Sequence, residues 1–254
     1  MRPDSAMSSP STAGLAERLE ALTPALELDI TPSDRERLLA YLALIQRWTQ
    51  VYNLTAVRDP GEMFTHHLLD CLAVVAPMRA GVASLGSTDE MSTSLRVLDV
   101  GSGAGLPGVI LALLNPGWQV SCIDAVAKKA TFIRQVAAEL GLPNLHGVHG
   151  RVEDKSSFRT PEFDLVTSRA FASLKDFTTL TRPLLAETGR WAAMKAKLSD
   201  EERRELPSDV EMFHVEQLEV PELDAQRCLV WMKPVARATN EGEHAVGSGR
   251  QPRQ

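Results

Sequence analysis

The chain has 254 residues, of which 44% are hydrophobic and 24% charged, and its formal net charge at pH 7 is −6. This composition is typical of a soluble globular protein long enough for one α/β domain with additions. No apolar run approaches the roughly 20 residues that span a bilayer, and the first residues lack the basic and apolar segments of a signal peptide, so we expect a cytoplasmic protein without membrane contact.

The first third of the chain predicts a small helical region, residues 14–83, with polar segments on either side. Residues 1–13 are rich in Ser, Pro and Thr and predict a disordered tail. The polar stretch 84–94 predicts a flexible loop. Apolar periodicity and start signals predict three helices: Leu15–Leu26, a longer helix that starts at Thr31-Pro32-Ser33-Asp34 and includes Trp48, and Glu62–Val75.

From Arg96 onward, short apolar runs typical of strands alternate with helical segments. This alternation predicts an α/β fold of the Rossmann-like class, with helices on both faces of a largely parallel sheet. Residues 95–236 are expected to form this domain, and the polar residues 237–254 a second disordered tail. The predicted strands are residues 96–100, 119–123, 145–149, 164–168, 190–195, 210–218 and 228–233.

The clearest functional signal is the stretch LRVLDVGSGAGLPG, residues 95–108. An apolar run carries one carboxylate, Asp99, and is followed by glycines at positions 101, 103, 105 and 108. A strand that turns through glycines into a helix lets backbone N–H groups approach a ligand without a Cβ in the way. Pro107 is expected in the first turn of a helix over Val109–Leu114, where its missing N–H needs no partner. The pattern predicts a loop that binds a nucleotide-type cofactor.

Two cofactors compete for this loop. Gly103, Gly105 and Gly108 satisfy the dinucleotide pattern G-x-G-x-x-G, in which a helix N-terminus holds pyrophosphate. The register from Asp99 and Gly101 instead resembles motif I of the class I methyltransferases that use S-adenosylmethionine (SAM). A carboxylate repels pyrophosphate but attracts the cationic groups of SAM. Asp99, Gly101 and Gly103 are therefore predicted to belong to a SAM site.

Asp124 ends the next predicted strand, 23 residues after Gly101. An acidic residue about 20 positions beyond such a loop is placed to accept hydrogen bonds from ribose hydroxyls. Asp is also a preferred residue at the start of a helix, and the two roles are compatible. Because SAM and NAD both contain adenosine, Asp124 supports a cofactor site without distinguishing between them.

No arrangement of side chains predicts a metal site. His66 and His67 are adjacent, so on a helix they point about 100° apart and cannot share one ion. His66 and Asp70 are instead spaced to pair on one helix face. Trp48, which belongs to an apolar stripe, is expected in the core rather than as a surface for stacking bases.

Six separate segments of the chain carry a family resemblance. They are Trp48 with Tyr52-Asn53-Leu54-Thr55 and Arg58-Asp59, His67-Leu68-Leu69-Asp70, the glycine loop, Arg151-Val152-Glu153, Ser168-Arg169-Ala170-Phe171-Ala172-Ser173-Leu174, and Lys195. Together they resemble the ribosomal RNA small-subunit methyltransferase G family, also called glucose-inhibited division protein B. The resemblance covers residues 30–234, and this chain has extra residues at both ends and in the 84–94 loop.

The resemblance implies a seven-stranded, SAM-dependent methyltransferase. The implied reaction is methylation of N7 of the guanine at position 527, in the 530 loop of 16S ribosomal RNA. The implied partner is that RNA within the 30S subunit or an assembly intermediate, and a monomer is expected. The family's cofactor contacts fall on Gly101, Leu106, Val152, Glu153 and Arg169.

The residues themselves also limit the methylation chemistry. Guanine N7 presents a free lone pair, so its methylation needs alignment and desolvation but no general base. The segment Ser168-Arg169-Ala170 differs from the Asn/Asp-Pro-Pro-Tyr/Phe signature of enzymes that methylate exocyclic amines. A C5-pyrimidine methyltransferase needs an exposed nucleophilic cysteine, whereas the cysteines here are expected to be buried free thiols: Cys71, Cys122 and Cys228. These features favour an alignment mechanism and leave the methylated atom open.

Arg169 is the predicted catalytic residue. It follows the fourth predicted strand, and ligands bind beyond the C-terminal ends of strands in open α/β sheets. Arg donates a bidentate pair to guanine O6 and N7 or clamps a phosphate. Because N7 must stay free to react, orientation through O6 or the RNA backbone is favoured. The structural alternative is a surface salt bridge.

The acidic net charge is the one observation that opposes an RNA substrate, because RNA-binding proteins are commonly basic. A local basic patch is sufficient, and its candidates are Lys128, Lys129, Arg134, Arg169, Lys195, Lys197 and Arg227. Three other functions stay open: a SAM-dependent methyltransferase of a small molecule or protein, a non-catalytic SAM-binding module on the ribosome, and an NAD-dependent oxidoreductase, which Asp99 disfavours.

Overall fold

The computed structural model describes residues 12–85, 94–154, 162–169, 171 and 173–235. The predicted tail 237–254, and nearly all of the predicted tail 1–13 and loop 84–94, lie outside the described residues. Within the described ranges, no helix is long and apolar enough to cross a membrane.

Seven strands form one mixed sheet, which confirms the predicted α/β class. The strands are β1 (Arg96–Val100), β2 (Gln119–Asp124), β3 (Leu145–His149), β4 (Phe163–Ser168), β5 (Leu185–Lys195), β6 (Val210–Leu218) and β7 (Arg227–Pro234). Their order in the sheet is β3-β2-β1-β4-β5-β7-β6. Neighbours from β3 to β5 pair in parallel, whereas β7 runs antiparallel to both β5 and β6. The carboxyl ends of β1 to β5 therefore meet at one edge, together with the beginning of β7.

The helices flank this sheet and precede it. They are α1 (Thr12–Leu22), α2 (Pro32–Tyr52), α3 (Pro60–Met63), α4 (Asp70–Leu72), α5 (Val75–Val82), α6 (Gly108–Leu114), α7 (Ala127–Glu139), α8 (Leu174–Thr181) and α9 (Asp200–Arg204). The predicted start of α2 is confirmed, because the Thr31 side chain accepts a hydrogen bond from the Asp34 N–H at 3.1 Å. The helix ends at Asn53, which is left-handed with a φ of 51°.

Three local predictions need correction. The regular helix predicted over Glu62–Val75 is interrupted by a π-helical segment, Phe64–Leu69, which a 3.6-residue period does not reveal. Pro107 precedes the first residue of α6 instead of lying in its first turn. Strand β5 starts at Leu185 rather than Arg190, because a register shift after Phe163 lets it pair with β4 earlier.

The central strands of the sheet are buried on both faces. In β1, Val97 faces the cluster formed with the helical region, α6 and α7, whereas Leu98 and Val100 face the cluster that includes Phe177 of α8. Alternate residues of a strand point to opposite faces, so Asp99 points toward the helical region.

The N-terminal helical region packs directly against the sheet domain and shares its core. The Tyr41 hydroxyl of α2 donates a 2.6 Å hydrogen bond to the Ala104 carbonyl in the glycine loop. Arg37, also on α2, donates to the Leu140 carbonyl at the end of α7. The helical region therefore supports the loop on which the functional predictions depend.

Candidate functional site

Three glycines of the loop that leaves β1 have positive φ: Gly101, Gly103 and Gly105. Gly101 has a φ of 66° and Gly103 a φ of 60°, conformations that L side chains rarely adopt. A Cβ built on either glycine meets nothing within 4 Å, so the backbone faces open space. At Gly108 the reason for glycine is packing, since a Cβ there lies 2.2 Å from Cys122 Sγ. The loop thus combines an exposed backbone with a tightly packed helix start.

The open side of Gly101 belongs to a cleft of about 250 Å³, which we call the glycine-loop cleft. It lies at the carboxyl edge of β1, β2 and β3, where open α/β sheets bind ligands. Phe171 and Leu180 line it from the side of α8. Its other lining residues include Val100, Gly101, Asp124, Gly150, Val152 and Glu153.

Asp124 ties the glycine loop to the start of α7. Its Oδ2 accepts a hydrogen bond from the Gly103 N–H at 3.0 Å, and its Oδ1 accepts one from the Val126 N–H at 2.8 Å. Lys129 Nζ lies 3.6 Å from Oδ2. A carboxylate has about four acceptor sites, so these contacts leave capacity for ribose hydroxyls. The two roles considered for Asp124 are therefore compatible in this geometry.

Asp99 lies behind the glycine loop and does not line the cleft. Its side chain is fully buried, and Oδ2 accepts a 2.9 Å hydrogen bond from the Gly108 N–H at the start of α6. Oδ1 has no hydrogen-bond partner within the described part of the chain. Burial raises the pKa of Asp99 from 3.8 to about 7, although the Gly108 N–H and Arg169 act in the opposite direction.

Because the pKa of Asp99 is raised, we expect this residue to make the stability of the protein depend on pH. The Asp99→Asn variant should lack this contribution. Between pH 4 and 7 the folded protein holds a proton that the unfolded chain has lost, so the free energy of unfolding falls as pH rises through this window. The slope from this group is at most about 1.4 kcal/mol per pH unit. Urea unfolding at several pH values should show the Asp99→Asn variant gaining stability relative to the wild type from pH 4 to 7.

The comparison isolates Asp99, because all other titrating groups are shared by the two proteins. The amide oxygen of the variant still accepts the Gly108 hydrogen bond, and any cost of its buried NH2 group does not change with pH. Parallel stability curves across this window would contradict the raised pKa.

A second cleft, of about 240 Å³, lies beside the first, and we call it the arginine cleft. It is lined by the residue after β4, the end of β5, the first residue of β7 and part of the π-helical segment. Its lining residues include His66, Asp70, Arg169, Met194, Lys195 and Arg227. Three of the basic residues proposed as an RNA-binding patch therefore meet in one place.

Asp70 joins two arginines in the arginine cleft. Arg227 Nε donates to Asp70 Oδ1 at 2.7 Å, and Arg169 Nη1 lies 3.5 Å from Asp70 Oδ2. Arg169 Nη1 also donates to the His66 carbonyl at 2.9 Å. Only 5% of the Asp70 side chain is exposed, so its negative charge is screened mainly by the two guanidinium groups. The spacing of His66 and Asp70 on a helix predicts that these two residues pair. In the structure Asp70 pairs instead with Arg169 and Arg227.

His67 lies on the buried side of the π-helical segment. Its Nε2 is 2.8 Å from Thr55 Oγ1. Burial, together with the charge of Arg169, lowers the pKa of His67 from 6.5 to about 4, so the ring is neutral at pH 7. Across the described residues, no group of three or more His, Cys, Asp or Glu side chains is arranged to hold a metal ion.

The cysteines are buried free thiols, as predicted. Burial raises the pKa of Cys71 to about 12 and raises the pKa of Cys122 well above its usual value. The pKa of Cys228 is also raised, chiefly by burial. Because the thiolate is the nucleophilic form, none of the three thiols is activated for covalent catalysis.

The two clefts are neighbours because β1 and β4 are adjacent in the sheet. Ser168 Oγ, at the end of β4, donates a 2.9 Å hydrogen bond to the Val100 carbonyl at the end of β1. Val100 lines the glycine-loop cleft, and Arg169, the residue after Ser168, lines the arginine cleft. The two clefts therefore lie on either side of this junction.

The structure separates the predicted site residues into three groups. The glycine-loop cleft contains Gly101, Asp124, Val152 and Glu153, and the arginine cleft contains Arg169. The other three line neither cleft: Asp99 and Leu106 are buried, and Gly103 lies in the loop with open space beside its backbone. Sequence reasoning did not identify the bridging position of Asp70, and its only signal was membership of the His67-Leu68-Leu69-Asp70 segment.

The glycine-loop cleft has the features that SAM requires. Open space above Gly101 and Gly103 admits a ligand close to the backbone, and Asp124 offers acceptors for ribose hydroxyls. The carboxylates of Asp124 and Glu153, which line the cleft, favour a cationic ligand over a pyrophosphate.

Comparisons with known proteins agree with this geometry. A family model described as GidB, rRNA small subunit methyltransferase G, matches residues 34–230. Ribosomal RNA small subunit methyltransferase G of Acidovorax ebreus (strain TPSY) is 53% identical over 230 residues, which are 91% of this chain and all of that protein. The protein of the same name from Albidiferax ferrireducens is 56% identical over 214 residues, covering 83% of this chain and 94% of that protein.

Solved structures show the same fold at lower identity. TrmN from Thermus thermophilus is 21% identical, with a TM-score of 0.50, over 65% of this chain and 49% of that one. The seven-stranded sheet with one antiparallel strand is the class I SAM-dependent methyltransferase fold. The match of the family model, together with identities above 50% over most of the sequence, shows that this chain belongs to the rRNA small subunit methyltransferase G (GidB) family.

Proposed function

We propose that this protein is a SAM-dependent methyltransferase of 16S ribosomal RNA that methylates N7 of the guanine at position 527. The observation that carries the proposal is the junction of the two clefts, where the end of β1 contacts the end of β4. One cleft suits an adenosine-containing cofactor, and the other offers cationic groups to an RNA nucleotide. Family membership supports the RNA substrate, and the family's known target supports the choice of N7.

Four residues of the glycine-loop cleft hold the cofactor in this proposal. Gly101 lets the ligand approach the backbone, Asp124 accepts hydrogen bonds from ribose hydroxyls, and Val152 and Glu153 contact the adenine edge. When bound, SAM supplies a methyl group on a sulfonium, an electrophile that needs no metal ion. Asp99 acts one step away from the ligand, because its hydrogen bond to Gly108 fixes the start of α6.

Arg169 is the catalytic residue of the proposal. Its guanidinium lines the arginine cleft and is held by the His66 carbonyl and by Asp70. From this position it donates to guanine O6 or to an adjacent phosphate and so orients N7 toward the methyl group. Guanine N7 carries a lone pair and no proton, so the reaction requires no general base. The absence of an activated thiol among the described cysteines agrees with this mechanism.

The charge distribution supports a structured ribosomal substrate. The net charge of −6 disfavours nonspecific RNA binding, whereas Arg169, Lys195 and Arg227 concentrate positive charge in one cleft. We therefore take the substrate to be 16S RNA within the 30S subunit or an assembly intermediate, which places the activity in the cytoplasm. Both clefts are lined by residues of one chain, which supports the proposal that the enzyme acts as a monomer.

The direct test is transfer of a labelled methyl group from SAM to 30S particles that lack this modification. We expect label on N7 of the guanine at position 527, located by fragmentation of the RNA. Particles that already carry the methyl group serve as the matched control and should take up no label. Label on another nucleotide would overturn the choice of target, and label on ribosomal protein would overturn the substrate class.

A further inference from the structure

The C-terminal end of α2 presents a tyrosine that the proposed reaction does not use. Tyr52 is 44% exposed. Its ring centroid lies 5.0 Å from that of Trp48, which in turn lies 5.2 Å from Phe132, a buried residue of α7. Trp48 is thus half-buried between the core and Tyr52. The outer ring of this three-ring cluster is partly exposed to solvent and packs against Trp48 on its inner side.

One cation lies over the exposed ring, and a second lies near the end of the same helix. Lys128 Nζ lies 5.0 Å from the ring centroid of Tyr52. Arg58 is exposed and donates a 2.6 Å hydrogen bond to Asn53 Oδ1, which holds its guanidinium beside the end of α2. Val126, 47% exposed, adds apolar surface at the start of α7. We call Tyr52, Arg58, Val126 and Lys128 the Tyr52 platform.

The Tyr52 platform lies next to the glycine-loop cleft. Val126 is two residues beyond Asp124, which lines that cleft, and its N–H donates to Asp124 Oδ1. From the other side, Thr55, three residues after Tyr52, contacts His67 of the segment that borders the arginine cleft. A strand of RNA that places its target base at the junction of the clefts therefore passes within reach of the platform.

We propose that the Tyr52 platform binds an unpaired RNA segment that flanks the target guanine. One base stacks on the Tyr52 ring in place of Lys128, and Lys128 then pairs with a neighbouring phosphate, as does Arg58. Exposed aromatic rings with adjacent cations are the usual surface for single-stranded RNA, because every base has a face that stacks. Charge complementarity selects this occupant: on a chain of net charge −6, Lys128 lies over the ring and Arg58 is exposed near the end of the same helix. The inference rests on the proposed RNA methyltransferase function.

The test compares Tyr52→Ala and Tyr52→Phe with a matched control, Phe213→Ala. Phe213 is 39% exposed and has Lys233 Nζ 5.6 Å from its ring centroid, but it lies on β6, the far edge strand of the sheet. The measurements are the affinity for a protein-free 16S RNA fragment containing the 530 loop, the affinity for SAM, and methyl transfer to 30S particles.

We expect Tyr52→Ala to weaken binding of the RNA fragment by about 5- to 150-fold, the range for loss of one stacked base. Tyr52→Phe should retain binding because it keeps the ring, and Phe213→Ala should match the wild type. SAM affinity should be unchanged in all three. Lys128→Gln should reduce the magnitude of the slope of log K for RNA binding against log salt concentration by about 1. This variant provides a second readout and keeps all three aromatic rings.

The possible results separate this inference from the proposed function. Suppose that the wild type methylates ribosomal particles and that Tyr52→Ala binds the RNA fragment with wild-type affinity. This result overturns the platform and leaves the proposed function intact. Slower methyl transfer to 30S particles by Tyr52→Ala, with unchanged affinity for protein-free RNA, also overturns it, since the platform then contacts a ribosomal protein. A wild-type protein without methyl transfer to ribosomal RNA overturns both proposals.

Discussion

Gly101→Val is expected to abolish SAM binding while the protein stays folded. Gly101 has a φ of 66°, and a β-branched residue in this region is strained by about 1–3 kcal/mol. A Cβ at this position meets no protein atom within 4 Å, so the new side chain extends into the glycine-loop cleft rather than into the core. The cleft is thereby blocked where the ligand approaches the backbone. Calorimetric titration with SAM measures the effect.

Gly141→Val is the matched control for the strain alone. Gly141 has a φ of 59° and equally open surroundings. It lies between α7 and β3, at the amino ends of the parallel strands and so away from the carboxyl edge where the clefts are. Both variants should lose similar stability in thermal unfolding, and only Gly101→Val should lose SAM affinity. Normal SAM affinity in a folded Gly101→Val protein would remove the glycine loop from the proposed cofactor site.

Arg169→Ala is expected to slow methyl transfer to 30S particles far more than it weakens SAM binding. Loss of one charge-assisted hydrogen bond to the oriented base costs about 1.5–3 kcal/mol, or roughly tenfold to more than a hundredfold in rate. Since the contact acts in the transition state, kcat and kcat/KM should fall together. Arg169→Lys should recover little activity, because lysine supplies the charge without the planar guanidinium. Single-turnover kinetics with saturating SAM measure the methyl-transfer step.

Arg79→Ala controls for the loss of a half-buried arginine. Arg79 Nε donates a 2.6 Å hydrogen bond to Asn115 Oδ1 beyond the end of α6, away from both clefts. Its removal should lower stability with little change in the methylation rate. If Arg169→Ala behaves in the same way, Arg169 is a structural residue that joins β4 to the helical region. Loss of SAM affinity alone would instead make it a cofactor ligand.

The sequence by itself determined the sheet domain and the position of the glycine loop, because both depend on local patterns. Strands β1 and β3 have the predicted bounds, and β1 is a buried apolar run bounded by turn residues, as is typical of central parallel strands. The positive φ of Gly101 follows from the turn out of β1, where a side chain is strained. The start of α2 at Thr31 is also a local signal, because the cap forms within one helical turn.

Only the tertiary structure decided which side chains share a cleft. Asp70 contacts Arg169 and Arg227, which are 99 and 157 positions away in the sequence. These contacts depend on the sheet order, which puts the end of β4 near the beginning of β7, and on the π-helical segment, whose extra residue no periodicity indicates. Asp99 shows the same limit: motif I identifies the residue, but the pleat of β1 turns its carboxylate behind the loop toward Gly108. Local patterns specify elements and turns, whereas contacts between distant elements follow from their packing.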